Sequence, residues 1–154
     1  MRDPLLEISG KIIGFYEREF YCFSNFSSFA VEWKGRKWMT SEHAYQAAHF
    51  FDSAPDLVEE IFNARSAHEA KKIVEKNMDK VPKSFYEKNI EIMEDICAHK
   101  LEQNPYVKKK LLQTGTKMIV EDSPVDAFWG WGPNKDGRNE LGKIWMRLRE
   151  KISK

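Results

Sequence analysis

The stretch Ser84–Asn104 does most to limit how this chain can fold. Met93, Ile96 and Cys97 recur within it at helical spacing, so it reads as a long helix with one apolar stripe to bury. The rest of the chain supplies short pieces for that helix to pack against. Pro105 restarts a helix that ends at the C-cap signal Gly115. Pro55 suits the first position of a helix running to about Ala64. Ser66-Ala67-His68-Glu69 is a capping box, and its helix runs to about Asn77. Thr40 or Ser41 caps another, to about Phe51, and Leu141–Ile152 closes the chain.

Strands are few. Lys11–Tyr16 and Lys117–Glu121 read as short ones, and Ala30–Trp33 and Arg36–Met39 flank Lys34-Gly35, a two-residue hairpin signal. Phe20–Phe29 reads as an ordered aromatic loop and Phe128–Arg138 as a glycine-rich one. The expected fold is mainly α, an α+β arrangement with a small β-hairpin and short strands. One domain is expected over residues 1–154, a length that suits a single core.

Composition narrows the function classes. A net charge of +1 leaves no global field toward nucleic acid or anionic membrane. Cys22 and Cys97 are far apart and outside any C-x-x-C, so they build no zinc framework; they leave room for one disulfide but do not suggest a stapled secreted domain. Asp3 and Glu7 interrupt the apolar N-terminal pieces, unlike a signal peptide, and no apolar run is long enough to span a membrane. A cytoplasmic protein with no membrane partner is expected. The sequence leaves the oligomeric state open, a monomer included.

Residues 40–46, TSEHAYQ, set a carboxylate, an imidazole, a phenol and an amide within two turns of a helix. Glu42, Tyr45, Gln46 and His49 share one face, and Ala44, Ala47, Ala48 and Phe51 the other. The polar face reads either as the wet side of an amphipathic helix or as part of a site. It carries no Lys or Arg and follows directly on Trp33 and Trp38. His43 and His49 cannot share a metal from one helix face, and no metal or redox cofactor is expected. His43 reads as a packing or capping histidine, and Gln46 and His49 as neighbours that support Glu42.

Several segments together resemble one family. They are Cys22-Phe23-Ser24-Asn25-Phe26, the Gly35–Trp38 hairpin, W-x-TSEH-x-Y-Q from Trp38 to Gln46, and His99–Asn104. Leu111–Gly115, Asp126–Gly130 and Gly137–Gly142 follow in the same order. Over roughly residues 12–150 the chain is similar to the YbiA-like, or NADAR (NAD and ADP-ribose), family. The resemblance implies a largely helical fold and cleavage of a ribose C1–N bond. One branch of the family hydrolyses early riboflavin-pathway intermediates. Another removes ADP-ribose from modified guanine bases.

Breaking that bond builds positive charge on C1 and the ring oxygen, which a carboxylate can stabilise while it or another group activates water. Glu42 matches the glutamate of the TSEH element and is the expected catalytic carboxylate. Asp126 is a second acid candidate, equally readable as a turn residue after Pro124. Lys100 sits beside the apolar stripe of Met93, Ile96 and Cys97, where a lysine either snorkels to water or lies desolvated. The resemblance favours the second and suggests a lysine that forms a Schiff base with the ring-opened sugar.

Glycines 130, 132 and 137 lead into a helix start, where backbone N–H groups can approach an anion and Lys135 and Arg138 can add charge; a plain loop fits equally well. Asn139 reads as a sugar or phosphate ligand or as that helix's N-cap. Arg65, ahead of the capping box, is a further anion candidate. Ser24, Asn25, Phe26, Trp38, Ser41, Gln46, Trp129 and Gly130 complete the expected substrate contacts, and Trp33 and Trp131 are further stacking candidates. Lys108-Lys109-Lys110 is a solvated helix face or a contact to nucleic acid.

The chain departs from the family pattern in three places. Trp38-Met39 stands for Trp-Pro, His49 for a common lysine, and Trp129-Gly130-Trp131-Gly132 for WGDG. The lost acidic residue counts against a riboflavin intermediate more than against the reaction type. The expected partner is an ADP-ribose-containing small molecule or an ADP-ribosylated nucleic acid. A binding module for ADP-ribose or NAD without turnover is the non-enzyme alternative.

Overall fold

Lys34 and Gly35 both adopt left-handed backbone, with φ of 52° and 78°, the geometry that lets two residues close a twisted hairpin. The hairpin pairs the strand Val31–Trp33 antiparallel with Arg36–Trp38, in the register Val31↔Trp38, Glu32↔Lys37 and Trp33↔Arg36. The computed structural model describes residues 12–16 and 19–153; Lys11 of the first expected strand lies outside them. In chain order the elements are β1 (Ile12–Phe15), β2 (Val31–Trp33), β3 (Arg36–Trp38), α1 (Ser41–Ala48), α2 (Pro55–Phe62), α3 (Ala67–Glu75), α4 (Phe85–Gln103), α5 (Pro105–Gln113), β4 (Met118–Glu121) and α6 (Glu140–Ile152). The fold is mainly α with short strands. It divides into two compact units, residues 25–103 and residues 12–24 with 104–153.

In the first unit, α1 packs on α2, α3 and α4, and α4 packs on β2. Thr40 caps α1 by accepting from His43 N at 3.1 Å, and Ser66 caps α3 by accepting from Glu69 N at 3.0 Å. α1 stops at Ala48, short of the expected Phe51. The amides of His49 and Phe50 turn to the carbonyls three residues back, tightening the last turn. Two side chains hold α4 to β2. Trp33 Nε1 donates to Asp95 Oδ2 at 2.8 Å. Gln103 Oε1 accepts from Glu32 N at 2.7 Å while its Nε2 donates to Glu32 O at 2.8 Å, so the amide pairs with the strand as a peptide group of a neighbouring strand would.

In the second unit, β1 pairs with β4 in parallel, from Ile12↔Met118 to Phe15↔Glu121. α6 covers β4. Phe15, Phe23 and Trp145 form the centre of this core, each fully buried. Trp145 lies 5.1 Å from Phe23, and its Nε1 donates to Phe23 O at 3.0 Å, which satisfies the indole donor. The expected loop Phe20–Phe29 includes a short 3-10 turn at Tyr21–Phe23. Gly115, at φ 59°, ends α5 as its C-cap pattern predicts. Cys22 and Cys97 are buried thiols. Among the described residues no helix is long and apolar enough to cross a membrane.

Candidate active site

α1 has no wet face. All eight of its residues are buried, Glu42 and Gln46 at 6% exposure each. A buried carboxylate needs hydrogen bonds to offset lost hydration. Gln46 Nε2 supplies one, donating to Glu42 Oε2 at 2.6 Å. The backbone supplies order as well: Glu42 N donates to Asn25 O at 3.1 Å, and Ser41 Oγ donates to Asn25 Oδ1 at 3.0 Å. Asn25 Nδ2 in turn meets Met93 Sδ on α4 at 3.2 Å. The Asn25 loop is thus pinned to the start of α1 and to α4.

Lys100 does not snorkel. It is fully buried, and its Nζ donates to Ser27 Oγ at 3.1 Å and lies 5.6 Å from the Phe29 ring centroid. Ser27, itself buried, is a contact that motif reading passed over; its place just after Ser24-Asn25-Phe26 was the available signal. Segment 25–27 therefore touches Glu42 through Asn25 and Lys100 through Ser27. Phe26 is half-buried against His68, ring centroids 4.8 Å apart.

Both helix histidines are held neutral by burial. His43 packs inside: Thr40 Oγ1 lies 2.8 Å from its Nδ1, and its Nε2 donates to Ala64 O at 3.0 Å. Desolvation lowers its pKa, opposed by that backbone hydrogen bond. His49 stacks on Phe85 at 4.0 Å, and burial pushes its pKa down to about 4 against the opposing pull of the Gln46 and Tyr45 carbonyls.

Two expected contacts in this unit take other roles. Trp38 is fully buried; its Nε1 donates to Trp33 O at 2.9 Å and its ring meets Phe62 edge-on at 5.2 Å, so no face is left for a ligand. Arg65 points into solvent, its side chain 92% exposed and 3.7 Å from Glu69.

The second unit carries Ser24, Asp126, Trp129, Gly130, Arg138 and Asn139. Asp126 Oδ1 accepts from Phe128 N at 2.9 Å and from Trp129 N at 2.8 Å, the turn role that competed with catalysis. The glycine-rich loop folds onto itself. Arg138 N, Asn139 N, Glu140 N and Leu141 N donate to the carbonyls of Ala127, Gly130, Phe128 and Trp129. The amides at the expected helix start are therefore already committed. Gly130 is required by space, since a Cβ there would lie 2.7 Å from Glu121 O.

Asn139 is not a side-chain N-cap. It sits at φ 54°, 2% exposed, with Oδ1 accepting from Glu121 N and Nδ2 donating to Ile119 O, both at 2.9 Å. This spends its amide on β4 instead of on a sugar or phosphate. Arg138 keeps an exposed side chain, paired with Glu140 at 2.9 Å and lying over Phe128 at 4.6 Å. Ser24 is buried at the end of the 3-10 turn, where its N donates to Tyr21 O at 2.8 Å. Trp129 is half-buried against Phe128. Of the lysine triple, Lys110 turns to Glu19 at 3.1 Å while Lys108 and Lys109 stay exposed.

The fold and the buried polar cluster define a small, mainly helical domain of the YbiA type. The solution structure of YbiA from Escherichia coli superposes with a TM-score of 0.84 over 93% of this chain and 85% of that one, at 32% identity. The chain belongs to the NADAR domain family, whose pattern matches residues 14–153. It is 34% identical to the N-glycosidase Npun_R5314 of Nostoc punctiforme, over 85% of each chain. It is 36% identical to the riboflavin biosynthesis protein VVA0006 of Vibrio vulnificus, over 84% of this chain but 35% of that longer one.

Proposed function

We propose that this chain is an N-glycosidase that cleaves a ribosyl C1–N bond, and that its substrate is an ADP-ribosylated guanine base. The carrying observation is the pairing of a buried, amide-held carboxylate at Glu42 with a fully buried lysine at Lys100, both tied to segment 25–27. Burying a carboxylate and an ammonium is costly, and a fold that keeps both at one loop has a use for them. The names of the relatives support the reaction class.

Glu42 stabilises the positive charge that grows on C1 and the base nitrogen as the sugar ring oxygen leaves C1, takes up a proton and becomes a hydroxyl, while the base nitrogen gives up its own proton. Once the sugar ring has opened, C1 is joined to the base nitrogen as an imine. Lys100, as the neutral amine, adds to C1 and the base leaves as its free amine. Water then adds to the lysine imine, releasing the sugar aldehyde and restoring Lys100. One water is consumed and no electrons are transferred. The partner is the ADP-ribosyl group on nucleic acid or on a free base, and the setting is the cytoplasm.

The Vibrio relative's name supports a second substrate class, the riboflavin intermediates. The two are separated by incubating the protein with a guanine-ADP-ribosylated oligonucleotide and with those intermediates, following release by mass spectrometry. Release from the oligonucleotide is expected. Release from the intermediates alone would transfer the assignment. Binding of ADP-ribose without release from either would make the chain a binding module.

A further inference from the structure

Beyond the C-terminal end of α1 lies a cavity of about 240 Å³ that none of the sugar- or phosphate-binding candidates lines. Four aromatic side chains line it. Trp33 and Phe51 lie stacked 5.7 Å apart, and His49 and Phe85 form the second stacked pair. Lys34 and Lys88, both exposed, bring positive charge to it, and Asp52 offsets one of them.

His49 carries the chemical detail. Its Nδ1 lies 3.0 Å from Gln46 O and 3.2 Å from Tyr45 O. Carbonyl oxygens only accept, so Nδ1 holds the ring proton and Nε2 is left as an acceptor. Among the described residues nothing donates to Nε2. The residue is 5% exposed and lines the cavity. Burial keeps the imidazole neutral, and so an acceptor, well below pH 7.

We propose that this cavity seats the planar base of a nucleotide, with His49 Nε2 accepting from an amino or ring N–H group and Lys34 and Lys88 facing the attached phosphate. Flat walls suit a heteroaromatic ring, the acceptor selects one with a donor edge, and the net positive charge selects an anion. His49 follows Glu42 by two helical turns, roughly 10 Å along the axis. That separation suits the length of a nucleotide extending from the scissile bond. The assignment of that nucleotide to the substrate rests on the N-glycosidase reading.

The test uses the full chain and AMP, adenosine and purine riboside 5′-monophosphate, which lacks the amino donor. Each is titrated while the NMR signals of the Trp33 indole, His49 and Lys88 are followed. AMP is expected to shift these signals saturably. His49→Phe is expected to weaken AMP about tenfold, one good hydrogen bond, and to leave the amino-free analogue within about twofold. Lys88→Glu, at an exposed position, is expected to weaken AMP and spare adenosine. Absence of a saturable shift, shifts confined to other residues, or unchanged AMP affinity in both variants would overturn the assignment. Cleavage of the ADP-ribosylated oligonucleotide with no nucleotide in the cavity defeats the cavity alone. AMP in the cavity with no cleavage of any ribosyl substrate supports the cavity and defeats the N-glycosidase reading.

Discussion

Gln46 Nε2 donates to Glu42 Oε2 over 2.6 Å, one turn apart on a helix without an exposed residue. The amide both fixes the carboxylate's rotamer and favours its charged form. Gln46→Leu removes a hydrogen bond to a charged group, worth about 1.5–3 kcal/mol. If that bond tightens as charge develops, kcat falls roughly tenfold to a hundredfold. Steady-state kinetics checks this, and a full kcat would remove Gln46 from the site.

Lys100 is expected to be trapped on the sugar. Borohydride added during turnover should leave a reduced sugar adduct on the peptide that contains Lys100, read by mass spectrometry. Lys100→Met should give no adduct and lower the rate by about a hundredfold or more. A fully active Lys100→Met would exclude the Schiff base.

Much of this was legible from spacing. The caps at Thr40 and Ser66, the Lys34-Gly35 turn and the α5 stop at Gly115 are local chemistry, fixed by a few neighbouring residues. The wet or dry state of α1 was not, because the pattern of Glu42, Gln46 and His49 is the same whether water or protein covers it. Lys100 posed the same problem: an apolar stripe beside a lysine fits snorkelling and burial alike until the Ser27 loop is seen over it. The glycine loop misled in the other direction. The amides of residues 138–141, where the loop meets the helix, look available in sequence and are spent on the carbonyls of residues 127–130.

Asn139→Ala should act on stability. It deletes two hydrogen bonds to β4, one of them buried, and puts a Cβ-bearing residue without a local side-chain bond at φ 54°. The expected cost is about 2–4 kcal/mol in chemical denaturation. KM measured well below the melting transition should stay within about twofold, whereas a direct substrate contact would raise it by the worth of a hydrogen bond, roughly tenfold.

Acid should weaken the fold through His49. Its pKa is about 4 in the folded chain and near 6.5 unfolded. The unfolded state therefore binds more protons between those values, and stability present above pH 6.5 is lost as pH falls through about 4. The loss is on the order of 2–3 kcal/mol. His43, also lowered by desolvation, adds in the same direction. Denaturant midpoints measured from pH 7 to pH 4 should fall less steeply in His49→Phe than in the unaltered chain; identical slopes would mean that His49 titrates normally.

Gln103 stands three residues after Lys100 on α4 and hydrogen-bonds both polar backbone groups of Glu32. It touches no reacting atom in the proposed chemistry, so its role is to hold the end of α4, and Lys100 with it, against β2. Gln103→Glu keeps the shape and one acceptor but turns the donor that meets Glu32 O into a repelling oxygen. The expected result is a stability loss of about 1–3 kcal/mol and a fall in kcat larger than any change in KM. Borohydride trapping at Lys100 should slow in step with kcat, because the lysine is displaced and not absent. A variant that loses stability while trapping proceeds at the original rate would show that Gln103 holds the strand without setting the lysine.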